Sequence, residues 1–329
     1  MIGWLAAAWA APASERSFVL TEDGATVAVH RTANPGKEPV VLVHGISSNH
    51  LFWDLGPGRS LATTLWDAGY DVWNVDLRGH GDAERNADGT RLRTFPCVDD
   101  YGRYDLPAVF RAVSEATGQV PHYVGHSMGG MVLAIALATT EVRPRSAVVV
   151  GSPLDFRDPD GLVAAFVKVS AFGQRWATPA GARFLAVLRR NTVGKLDELL
   201  ENPENLSPDA EVRMLRRGVS PLYLGEIAQF AASREDGEFR STDGTVLYRE
   251  RLEQIAVPML FVAGRLDRIA PPDRVWSYFD AVGTEDKRFV VASVANGMHA
   301  DYGHLDLGVG DHVEADVFPL IVDWIRTHP

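Results

Sequence analysis

The chain has 329 residues, 46% of them apolar, a formal net charge of -11 and a single cysteine, Cys97. That length suits one large α/β domain with an insertion, or two domains. The acidic balance argues against nucleic acid or an anionic membrane surface as a partner, and one cysteine excludes an intrachain disulfide or a cysteine-built metal site.

Residues 1–13 form an apolar, leader-like segment in which Ile2 to Ala11 runs into Ala11-Pro12-Ala13. No Lys or Arg precedes the run, and it is too short to span a bilayer. A cytoplasmic protein is expected, with export as the alternative.

Residues 14–152 read as the first part of an α/β core. Ser17 to Arg31 alternates around Glu22-Asp23-Gly24, which predicts an antiparallel hairpin. Pro39 to Val43 is a continuous β-branched run, expected of a strand buried on both faces, and it ends in His44-Gly45-Ile46. A helix over Ser60 to Ala68, a strand over Asp71 to Val75 and the loop Asp76-Leu77-Arg78-Gly79-His80-Gly81-Asp82 follow. Asp99 and Asp100 occupy the expected N-cap of a helix ending near Gly118. A strand then enters Gly125-His126-Ser127-Met128-Gly129, an apolar helix leaves it, and Ser146 to Val150 is the next strand. Such alternation predicts a doubly wound, mostly parallel sheet.

The alternation stops over residues 153–255, where apolar residues recur three and four apart (Leu162, Val163, Phe166, Val167) between Pro179, Pro203, Pro208 and Pro221. This predicts a helical cap inserted over the active edge of the sheet. The core resumes over 256–329 with a strand Val257 to Val262, the turn Gly264-Arg265-Leu266-Asp267, a helix Pro272 to Ala281 and a strand near Arg288 to Ala292. A loop holding His299 and His304 and a closing helix Val313 to Arg326 end it.

A Gly-x-Ser-x-Gly turn between strand and helix projects its serine above a sheet edge. A serine hydroxyl is a poor nucleophile and needs a base, which in turn needs an orienting acid. Ser127, Asp267 and His304 supply these in chain order. His299 competes as the base, but Gly303 beside His304 lets the loop approach the serine closely. Two backbone N–H groups, from Ile46 and Met128, are the expected oxyanion hole. No histidine spacing of the His-Glu-x-x-His kind is present, so neither metal nor cofactor is expected.

With His44-Gly45, Asp76 to Gly81, Gly125 to Gly129 and Gly264 to Asp267 in family order, the chain resembles the α/β-hydrolases from about Ser17 onward. The run Asp301-Tyr302-Gly303-His304-Leu305-Asp306-Leu307 is similar to that of acid lipases, and Asn49 to Gly81 to polyhydroxyalkanoate synthases. The synthases use cysteine where this chain has Ser127, a departure that favours hydrolysis over polymerisation. The resemblance implies a serine esterase or lipase working through an acyl-enzyme, and a helical cap rich in apolar side chains suits medium or long acyl esters. An acyltransferase or thioesterase, and a non-catalytic binding protein, are the alternatives. Leu51, Phe52 and Trp53 after the oxyanion loop, and Phe166, Phe172 and Trp176 in the cap, are candidates for the acyl pocket or for packing between cap and core.

Overall fold

The computed structural model describes residues 13–85, 89–90, 96–157, 200–233 and 236–329. The leader-like segment up to residue 12, and Phe166, Phe172 and Trp176, lie outside the described residues. Among the described residues, no helix is long and apolar enough to cross a membrane.

Among the described residues, eight strands form one sheet in the order β1-β2-β4-β3-β5-β6-β7-β8. They are β1 Glu15–Leu20, β2 Thr26–Thr32, β3 Pro39–Val43, β4 Asp71–Asp76, β5 His122–His126, β6 Ala147–Val150, β7 Met259–Gly264 and β8 Lys287–Ala292. The expected hairpin is β1 and β2; β2 pairs antiparallel with β4, and every later pairing is parallel.

Strand periodicity explains the layers. Along β3, Val41 and Val43 join the apolar cluster on one face, whereas Val40 and Leu42 join the cluster on the other. The same split runs through Val149 against Val148 and Val150, and through Phe261 against Leu260 and Val262. Successive side chains point to opposite faces, so a sheet covered on both sides needs apolar residues at every strand position. Met128–Thr139 is buried along nearly its whole length on one face, and Val313–Arg326 covers the other with Val317, Phe318, Ile321 and Ile325.

The helix ending at Thr117 starts differently from expectation. Cys97, not an aspartate, is the N-cap, and Asp100 sits three residues inside, its Oδ2 accepting the Cys97 N–H at 2.9 Å. Asp99 turns instead toward the β6–β7 connection, where it accepts from Gln229 and the Tyr248 hydroxyl. A wide π turn, Tyr101–Asp105, leads into Leu106–Thr117, and Gly118 closes that helix at φ 70°.

The described part of the β6–β7 connection carries Pro208–Arg213, Leu224–Ala232 and Tyr248–Leu252. It is tied to the loops at the carboxyl end of the sheet. Ser220 N–H donates to the Ser47 carbonyl at 2.9 Å, and the Tyr101 hydroxyl donates to the buried Glu226 carboxylate at 2.9 Å.

Candidate active site

The Ser127 turn is a local consequence of its glycines. Ser127 has φ 51° and ψ -116°, a region that side-chain-bearing residues rarely adopt. It persists because the helix that follows is pressed onto β3: a Cβ on Gly129 would lie 2.7 Å from the Val43 carbonyl oxygen. Gly45 serves the opposite side, since a Cβ there would meet Ser127 Cβ at 3.2 Å and His126 Nδ1 at 2.9 Å.

Three side chains from distant segments meet here. Ser127 Oγ is 2.9 Å from His304 Nε2, and His304 Nδ1 is 2.7 Å from Asp267 Oδ2. The second carboxylate oxygen of Asp267 accepts the Ile269 and Ala270 N–H groups at 2.9 and 2.7 Å. These donors fix the carboxylate plane, and all three members are buried to 5% exposure or less. His299 lies apart: its ring pairs with Asp316 at 2.7 Å and faces solvent.

His44 is a structural histidine. Its Nδ1–H donates to the Gly45 carbonyl at 2.8 Å, and its Nε2 accepts the Leu77 N–H at 3.3 Å. Burial pushes its pKa down to about 3, keeping the ring neutral. With the Gly45 carbonyl held by His44, the trans peptide plane turns the Ile46 N–H the opposite way. Met128 opens its helix, so its N–H lies in the first turn, where no intrahelical acceptor exists.

Two apolar cavities share Ser127. One is lined by Phe52, His126, Leu200, Ile269, His304 and Leu305 among others. The other is lined by Met128, Met131, Pro153, Phe156, Phe230 and Arg274 among others. Ile46 borders both. Of the three aromatic and aliphatic residues expected after the oxyanion loop, only Phe52 lines a cavity; Leu51 and Trp53 do not line either one. Trp53 is fully buried and its indole N–H donates to the Val43 carbonyl at 2.9 Å, which draws it behind the turn and into the core.

The sequence pattern does not single out His126. Its ring is buried, stacks on Phe52 at 4.2 Å, and its Nε2–H donates to the His304 carbonyl oxygen at 3.0 Å. Its place inside the Gly-x-Ser-x-Gly turn was the available signal. Also unforeseen is a cluster of His30, His50 and Asp76, whose ligand atoms lie within 4.8 Å of one another. Burial opposes ionisation of Asp76, but hydrogen bonds from His30 and His50 outweigh it and hold the carboxylate well below its usual range.

A family model for the α/β hydrolase fold matches residues 38–297. Gastric triacylglycerol lipase of Rattus norvegicus is 39% identical over 145 residues, which cover 40% of this chain and 36% of the lipase. The match therefore spans about a third of that relative's length. A poly(3-hydroxyalkanoate) polymerase subunit of Haloferax mediterranei is 24% identical over 307 residues, 87% of this chain and 58% of the polymerase. Among solved structures, a thermophilic esterase from Thermogutta terrifontis superposes with a TM-score of 0.67 at 18% identity, covering 96% of this chain and all of the esterase.

Proposed function

Because the chain belongs to the α/β-hydrolase fold family, we propose that it is a serine hydrolase of carboxylic esters, of the esterase or lipase type, with Ser127, His304 and Asp267 as its catalytic triad. The observation that carries this reading is the unbroken chain from Ser127 Oγ through both nitrogens of His304 to Asp267, at 2.9 and 2.7 Å. The lipase and esterase likenesses support the same chemistry.

In this mechanism His304 Nε2 takes the Ser127 proton as Oγ attacks the ester carbonyl. Asp267 stabilises the imidazolium, and the Ile46 and Met128 N–H groups receive the oxyanion. The imidazolium then protonates the leaving alcohol, and water repeats the sequence on the acyl-enzyme. The two cavities flanking Ser127 suit the two arms of an ester: the one walled by Phe156, Phe230 and Met131 takes a medium or long acyl chain. The helical β6–β7 connection acts as a cap over it.

The test is turnover of p-nitrophenyl esters from acetyl to palmitoyl by the unaltered chain, Ser127→Ala and Asp267→Asn. Losses of roughly four orders of magnitude or more in both variants are expected. An acetyl optimum would refute the long-chain assignment; undiminished turnover in Ser127→Ala would refute the triad. The polymerase match supports acyl transfer as a second reading. Product partitioning with added alcohol separates it from hydrolysis.

A further inference from the structure

Away from Ser127, two histidines and two aspartates converge at the antiparallel margin of the sheet. His30 lies on β2, His50 begins the 3-10 turn His50–Phe52, Asp76 ends β4 and Asp82 belongs to the turn Gly81–Ala83. Both imidazoles aim at the Asp76 carboxylate: Oδ2 is 3.1 Å from His30 Nε2 and 2.9 Å from His50 Nδ1, which also lies 3.0 Å from Oδ1. The Asp82 backbone N–H reaches Oδ2 at 2.9 Å, while the His50 N–H occupies Oδ1 at 2.6 Å.

With the two backbone N–H groups, four donors fill the four lone-pair sites of the Asp76 carboxylate, and His50 Nδ1 is shared between its two oxygens. The rings are also stacked, with centroids 3.6 Å apart and planes 18° from parallel, so their nitrogens crowd a single point. The same convergence suits one cation in place of the two ring N–H groups. Each nitrogen then offers a lone pair, and Oδ2 divides its two between the ion and the Asp82 N–H.

We propose that His30, His50, Asp76 and Asp82 form a binding site for a divalent transition-metal ion of the zinc class. Two neutral imidazoles and two carboxylates match such an ion in donor type and balance its charge. Metal–ligand bonds of about 2.0–2.2 Å place tetrahedral ligands about 3.4 Å apart. The observed separations of 2.9, 3.1 and, from His30 Nε2 to Asp82 Oδ2, 3.5 Å bracket that value, so side-chain rotation seats the ion. Asp82 is the most exposed ligand and marks the side of access; the half-exposed Arg16, now 2.8 Å from its Oδ2, swings away on binding. His30 and His50 are 46 and 26 residues from Asp76, spacings that no linear motif reveals.

The ion would be structural. It pins β2 and β4 to the turn that presents Phe52 to the Ser127 cavity, and its existence does not depend on the esterase reading. The test titrates chelator-stripped protein with Zn2+ alone, in competition with a chromophoric chelator, and with Co2+ for its visible spectrum. One ion per chain is expected, with a tetrahedral Co2+ band, weakened roughly 100-fold in His30→Gln and His50→Gln. Asp82→Asn, at an exposed carboxylate, keeps the fold and should weaken binding in the same direction. His299→Gln, at the exposed His299–Asp316 pair, should change nothing. Absence of stoichiometric Zn2+ in the unaltered chain, or equal binding in His50→Gln, overturns the proposal.

Discussion

Replacing Ser127 by glycine should yield a more stable protein than replacing it by alanine. Both variants lose the hydroxyl and its 2.9 Å hydrogen bond to His304, so that term cancels between them. What differs is the backbone at φ 51°, ψ -116°. Holding a Cβ-bearing residue in so sparse a region costs about 1–3 kcal/mol, and glycine removes that cost. Glycine loses about 0.4–1 kcal/mol through the greater freedom of its unfolded chain. The balance favours glycine by about 1 kcal/mol, the reverse of the usual ordering within regular structure. Urea unfolding checks it: with equal slopes of about 3 kcal/mol/M, the glycine midpoint lies about 0.3 M above that of alanine. A glycine variant no more stable than the alanine variant would show that the Ser127 turn stores no strain.

Ser47, at φ 56° in the neighbouring loop, should behave alike, with Ser47→Gly more stable than Ser47→Ala by roughly 1 kcal/mol in the same titration. His126→Phe keeps the stack on Phe52 but withdraws the donor from the His304 carbonyl; kcat for ester hydrolysis should fall about 10- to 100-fold with KM little changed, and an unaltered kcat would remove His126 from any positioning role. His122, whose pKa is pushed down to about 4 by burial and then by Arg145 and His328, gives a pH signature. A depressed folded pKa means its contribution is complete above about pH 6.5 and is lost as pH falls through 4, about 3 kcal/mol in all. Relative to His122→Gln, the unaltered chain should lose that amount between pH 7 and 4, and a pH-independent difference between the two would contradict it.

Much of the fold is legible in the sequence because its signals are local. The β-branched run of β3 and the periodic helix Val313–Arg326 report their own burial, and the residues at Ser127, Asp267 and His304 sit in turns that follow predicted strands. The discrepancies arise where a distant partner decides. Asp99 leaves the helix cap because Gln229 and Tyr248 bind it across the molecule, and Trp53 leaves the cavity because Val43 offers its indole an acceptor. The cavity walls at Phe156, Phe230, Ile269 and Leu305 come from separate segments and share no spacing that a pattern detects.

The position of β8 at the sheet margin has a consequence for durability. β5, which delivers Ser127, is flanked by β3 and β6, whereas β8, which leads into the His304 loop, pairs only with β7 and is mostly half-exposed. Edge elements open at lower free energy than central ones. On warming, the imidazole is therefore expected to part from the serine while the central strands are still paired. Under the proposed triad, ester turnover should be lost before global unfolding, at a temperature set by the fraying of one outer strand rather than by the strength of the core.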